Sequence, residues 1–176
     1  MSSRKLQYFG SQILRNSSRI IDISSELESL HSLISDMLEI LGIENGLGLA
    51  APQASENVRL FILNSEELNL NGHSIFINPE VTTSGPLHKD EEGCLSIPGI
   101  FEYVRRPSSA SVTAFDLAGE RFTLDLDDYS ARAVQHENDH LDGILFVDRL
   151  SPLRKRLVKK QLFDIKREYG PGSRIL

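Results

Sequence analysis

Few residues in this chain could do chemistry, and they crowd into three short segments. His136-Glu-Asn-Asp-His140 sets two imidazoles four residues apart, which on a helix is one face, so both rings can reach the same metal ion. Glu137 sits beside them, close to any water such an ion would hold, where a carboxylate can carry protons. A solvated polar helix could contain the same letters. Here, however, Tyr129, Ala133, His136 and His140 share one stripe that is apolar first and ligating afterwards.

Two protein ligands are too few for a catalytic ion, which usually takes three and leaves a position open for water. The extended pattern His-Glu-x-x-His-x-x-Gly-x-x-His of one peptidase class would supply the third at position 146, which is Phe146. The only glutamate after Glu137 is Glu168, in a basic amphipathic stretch. Cys94, the single cysteine, lies in the loop-like Glu91-Glu-Gly-Cys-Leu-Ser-Ile-Pro-Gly99, from which a thiolate could swing to a metal. Read alone, it is equally an inert buried thiol.

The third segment is Gly46-Leu-Gly-Leu-Ala-Ala-Pro-Gln53. No strand pattern precedes it and no Gly-Lys-Ser/Thr follows, which excludes a phosphate loop. Its small residues let a backbone pass close to a ligand, and the Gln53 amide could hold a developing oxyanion.

Positioning these segments requires a scaffold. Leu27, Leu30, Ile34, Met37, Leu38 and Leu41 recur at helical spacing, which predicts a helix over 26–41 with Ser25 and Glu28 as a capping box and Gly42 as the stop. Strands are expected at 58–63, 74–78, 103–106, 111–115 and 121–126, separated by Gly, Pro, Ser and Asp. A second helix should open near Asp127 or Asp128 and end before Gly143, carrying the two histidines. A last helix, about 152–169, opens with Ser151 and Pro152, should bury Leu153, Leu157, Ile165 and Tyr169, and stops at Gly170. Strands clustered between helices indicate α+β rather than βαβ winding.

The chain has 176 residues, 40% hydrophobic and 25% charged, which fits one domain over 1–176 and excludes disordered, collagen-like and disulfide-scaffold classes. No apolar run approaches the roughly 18 residues of a membrane span, so no membrane role is expected. One cysteine and no apolar leader fit a reducing compartment, the cytoplasm. Residues 1–21 hold four basic residues, five serines and no acid, which leaves an organelle of bacterial descent as the lesser alternative. Leu6, Tyr8, Phe9, Ile13 and Leu14 favour an ordered first segment. The net charge of −6 divides unevenly: residues 151–176 hold eight Lys/Arg against two acids, and the remainder holds 11 against 23. The body is thus a poor nucleic-acid binder, whereas the basic end could touch RNA.

Gly46-Leu-Gly-Leu-Ala-Ala-Pro-Gln53, Glu92-Gly-Cys-Leu-Ser96 and Gln135-His-Glu-Asn-Asp-His140 together resemble the three signature motifs of the peptide deformylases, in order and with comparable spacing. The resemblance implies strands, antiparallel or mixed, around a central metal-bearing helix, flanked by an N-terminal and a C-terminal helix. It implies removal of the formyl group from nascent polypeptides that begin with formyl-methionine, releasing formate. Cys94, His136 and His140 would then be the metal ligands, Glu137 the general acid/base, and Gln53 with the backbone N–H of Leu95 the oxyanion donors. The ion implied is ferrous iron, with zinc, nickel or cobalt as substitutes. Gly48 would lie along the substrate backbone; Leu47, Tyr129 and Ala133 are the candidates for the methionine pocket, or equally plain core; and Arg106 is grouped with them, pairing with Glu92. Which of Arg105 and Arg106 points inward stays open. Asn138 and Arg132 depart from residues common in the family, and the basic last helix would suit docking to the ribosome. The rival readings are a metallopeptidase and a non-catalytic metal module, the latter needing no Glu137.

Overall fold

The computed structural model describes residues 4–170. A single antiparallel sheet runs in chain order through β1 (Gly48–Ala50), β2 (Leu60–Leu63), β3 (Ile75–Cys94), β4 (Ile97–Phe115) and β5 (Arg121–Asp127). Four helices accompany it: α1 (Leu30–Glu44), the single turn α2 (Ser65–Leu68), α3 (Asp128–Leu141) and α4 (Pro152–Tyr169). The α+β expectation therefore holds. No strand of the sheet is parallel to its neighbour; an isolated parallel bridge joins Arg19 to Val58.

Three apolar clusters form the core, and the second of them holds α3. In the first, Leu33, Met37 and Leu41 of α1 pack on Leu49, Leu60 and Ile62. In the second, Ala131, Val134 and Leu141 of α3 pack on Phe61, Phe76 and Val112. In the third, Leu14 and Phe146 join Ile97, Val158 and Ile165. With one face of α3 anchored by this burial, its polar residues are held at fixed positions inside the protein rather than on its surface.

α1 begins later and ends later than its periodicity suggests. Ser25 donates its hydroxyl to Asp22 (2.7 Å), so the box with Glu28 does not form, and Leu27–Ser29 makes a 3₁₀ turn instead. Gly42 does not stop the helix, since a glycine inside a helix costs only about 1 kcal/mol. The stop is Asn45 in the left-handed region (φ 50°), after which the Gly46 N–H returns to the Leu41 carbonyl at 3.1 Å.

The separate strands expected at 74–78, 103–106 and 111–115 are parts of one long hairpin, β3 with β4. Its breakers became irregularities rather than loops. Gly85 (φ 81°) and Pro86 fall where the register shifts between Ser84 and Leu87, and another shift lies between Glu92 and Cys94. Cys94 accordingly sits at a strand end, directly before the turn, and not in a loop.

α3 matches its predicted span. It ends against Gly143 (φ 72°), where a Cβ would stand 2.7 Å from the Arg15 carbonyl oxygen. α4 also matches, with Ser151 accepting the Arg154 N–H at 3.4 Å. Its buried face agrees with expectation at Ile165 and differs elsewhere: Val158 also points inward, whereas Leu153, Leu157 and Tyr169 are exposed. Two apolar stripes coexist on this helix, and only the one spaced seven apart meets the core. The first segment is ordered over the described residues, with Leu14 and Ile21 buried and Leu6, Tyr8, Phe9 and Ile13 packed against the clusters. No helix among the described residues is long and apolar enough to cross a membrane.

Candidate metal centre and active site

The end of β3 and one face of α3 converge. The sulfur of Cys94 and one nitrogen from each of His136 and His140 lie within 4.8 Å of one another, with Cys94 Sγ 3.3 Å from His140 Nε2. Each histidine is oriented by a different means. His136 Nδ1 lies 3.1 Å from Glu92 Oε2, so it donates its proton there and leaves Nε2 as the ligating atom. His140 is buried, and that burial above all holds its pKa well below the usual value, which favours the neutral ring a ligand must have.

Glu92 is the hub behind the triad. Arg106 grips it through Nε (2.6 Å) and Nη2 (2.9 Å), and Arg132 adds Nη1 at 2.5 Å. Burial alone would raise the Glu92 pKa, but the bonds from His136 and Arg106 outweigh it and hold the carboxyl well below the usual range. Arg106 passes on to Asp139 at 2.8 Å, and Asp139 is also held by Arg149 Nε at 2.5 Å. Arg106 is thus the inward member of its pair, and its expected bond to Glu92 forms. It does not line the cavity, so its grouping with the residues that would touch substrate is not supported; strand alternation places it behind Glu92.

Glu137 stands on the other side of the triad. Its Oε2 is buried without a hydrogen-bond partner among the described residues, and burial pushes its pKa up to about 7. The nearby carboxylates Glu92 and Asp139 add to that, while His136 and Arg106 oppose it. Its position depends on Gly48, since a Cβ there would meet Glu137 Oε1 at 2.6 Å. Gln53 lies in a 3₁₀ turn, Ala51–Ala54, that follows β1. Its Oε1 accepts from the Ala50 N–H at 2.8 Å, and its Nε2 donates to Ser96 Oγ at 3.0 Å and points at Cys94 Sγ at 3.5 Å.

Above these groups opens a cavity of about 490 Å³. Leu47, Gly48, Leu95, Tyr129 and Ala133 contribute to its walls, and Gln53, Cys94, His136 and Glu137 also reach it. Tyr129 is half exposed at the rim rather than part of a buried stripe. The structure therefore brings together every singled-out site residue except Arg106, with His140 buried beneath. Sequence reasoning missed Ser96 and Asp139 as supports, although both lie inside the quoted motifs, and it noticed Arg132 only as a departure. Asn138, the other departure, is turned away from the cavity and accepts from Arg59 Nη2 at 3.3 Å.

One thiolate and two imidazoles suit a late first-row divalent ion and not magnesium or calcium, so the donor set fits a metal. With a buried, unpartnered carboxylate next to it, the centre is that of a metallohydrolase. The peptidase alternative loses its third ligand in the structure as well, because Phe146 is buried and stacks on the His136 ring at 6.2 Å.

Comparison with known proteins agrees. The family profile of polypeptide deformylase matches residues 3–156. A peptide deformylase of Clostridium botulinum is 41% identical over 149 residues, covering 85% of this chain and 97% of that protein. Peptide deformylase 1 of Clostridium perfringens is 38% identical over 148 residues, covering 84% and 98%. The crystal structure of Arabidopsis thaliana peptide deformylase 1B, in complex with an inhibitor, superposes with a TM-score of 0.83 at 35% identity, covering 94% of this chain and 91% of that one. The chain belongs to the polypeptide deformylase family, with the activity of a metal-dependent deformylating hydrolase.

Arg132 supplies a second guanidinium to the carboxylate that orients His136. Arg132→Leu should therefore speed loss of the bound ion to a chelator by about 10–100-fold, the range typical when a group supporting a metal ligand is removed. A release rate equal to that of the parent protein contradicts this role.

Proposed function

We propose that residues 1–176 act as one catalytic domain that removes the formyl group from nascent polypeptides beginning with formyl-methionine, in the cytoplasm. In this reading Cys94, His136 and His140 hold one divalent ion, ferrous iron in the cell. The same donors admit zinc, nickel and cobalt. The observation that carries the reading is the convergence of a sulfur and two ring nitrogens beside the unpartnered carboxylate of Glu137, at the base of a largely apolar cavity.

A bound divalent ion supplies Lewis acidity, polarising the formyl carbonyl and lowering the pKa of the attacking water toward about 7. Glu137 takes the water's proton and returns it to the departing amine nitrogen. Burial strengthens this carboxyl's hold on a proton, which favours its accepting one from the attacking water. The Gln53 amide and the Leu95 N–H donate to the oxygen that gains charge as water adds to the formyl carbon. Bond cleavage then gives formate and the free amino terminus. Leu47, Tyr129 and Ala133 receive the methionine side chain, and the backbone at Gly48, which lines the cavity, runs beside that of the substrate.

Glu137→Ala should keep the ion and lose nearly all formate release from formyl-Met-Ala-Ser, measured by metal analysis and a formate assay. Turnover retained in this variant overturns the acid/base role, and cleavage of unblocked proteins in preference to the formyl peptide overturns the substrate.

The outward face of α4 favours a second element. Arg156, Lys159 and Lys160 are exposed there beside Leu153 and Leu157, a basic surface suited to ribosomal RNA. Replacing Lys155, Lys159 and Lys160 with Glu should abolish co-sedimentation with ribosomes; unchanged co-sedimentation removes the docking role.

A further inference from the structure

Four large apolar side chains are exposed along the β3–β4 hairpin and at the rim of the cavity: Leu87 (63%), Phe101 (64%), Tyr103 (54%) and Tyr129 (51%). Apolar residues exposed singly are ordinary on any protein, but a row of them beginning at a substrate cavity is not. Strand register puts three of the four on one surface. Glu91 faces Tyr103, Lys89 faces Arg105 and Leu87 faces Pro107, and residues directly opposite one another share a face of the sheet. The alternate residues Glu102, Val104 and Arg106 are buried on the other face.

This outer surface is continuous with the active site. Phe101 and Glu91 line the cavity as well as the hairpin face. The Phe101 ring lies across Gly93, where a Cβ would stand 2.6 Å from it. Further along, the Lys89 ammonium sits over the Tyr103 ring, 5.1 Å from its centre, an attractive contact.

We propose that the strip from Phe101 through Tyr103 to Leu87 binds the part of the formylated nascent chain that follows the residues held in the cavity. The inference rests on the substrate reading above and extends it from the first residues to the following ones. The dimensions fit. Phe101 to Pro107 along β4 is six steps of about 3.3 Å, so the strip matches roughly six residues of an extended peptide. The chemistry fits as well: two aromatic rings and an aliphatic side chain select apolar or aromatic residues, which a chain still too short to fold leaves available.

The test uses the metal-loaded enzyme with three substrates: formyl-Met-Ala-Ser, the same tripeptide extended by six residues alternating Leu or Phe with Ser, and a control extended by Ser and Gly alone. The apolar extension should lower KM about tenfold relative to the control, with kcat unchanged. The double variant Leu87→Ser, Tyr103→Ser should lose that gain and turn over the tripeptide as the parent does. Equal KM for the two extended peptides overturns the strip, and so does a gain that survives the double variant. Self-association that the double variant abolishes, without any peptide preference, would make the face a contact between copies and also overturn it. Failure of the parent enzyme to release formate even from the tripeptide would strike the substrate reading first, and the strip with it.

Discussion

The carboxylate of Glu92 is buried and yet fully engaged, by Arg106, Arg132 and the Nδ1 of His136. Stripping such a buried carboxylate of its charged partners costs on the order of 3–5 kcal/mol, because the charge left behind has no water to turn to. That penalty makes Glu92 an anchor and not a passive neighbour. It ties β3, β4 and α3 at one point, and through Arg106 and Asp139 the chain of charges extends to Arg149 in the 3₁₀ turn after α3. The His136 ring is therefore oriented by a carboxylate that is itself fixed from several segments. A metal site gains from such rigidity, since ligand atoms already in place lose little freedom when the ion arrives.

A second constraint is close packing around Glu137. Its carboxylate fits only because Gly48 has no side chain, and β1 stays in place through its pairing with β2 and through Gln53, which accepts the Ala50 N–H. Gln53 in turn leans on Ser96, in the turn that follows Cys94. The three segments that carry the chemistry thus support one another, and each contributes both a reacting group and part of another's support.

The central helix and its two histidines were legible because helical spacing states geometry directly: residues four apart share a face whatever surrounds them; Cys94, on a strand far away in the chain, joined them only through the resemblance to the family. The long hairpin was not legible. Gly85, Pro86 and Pro107 read as breaks, whereas the strands absorbed them by shifting register. Likewise, Arg105 and Arg106 could not be told apart until the pairing of β4 with β3 set which one faces inward. On α4, Leu153 and Leu157 have the same helical spacing as a core stripe, and only the position of the third cluster shows that Val158 and Ile165 are the buried pair. The three residues of β1 are too few to show any period at all.

The most direct measurement is X-ray absorption of the metal-loaded protein, prepared without oxygen, with metal content determined on the same sample. One ion per chain, with a single sulfur at about 2.3 Å and two imidazole nitrogens in its shell, is the expected result. A shell without sulfur, or one unchanged in Cys94→Ser, would contradict the account.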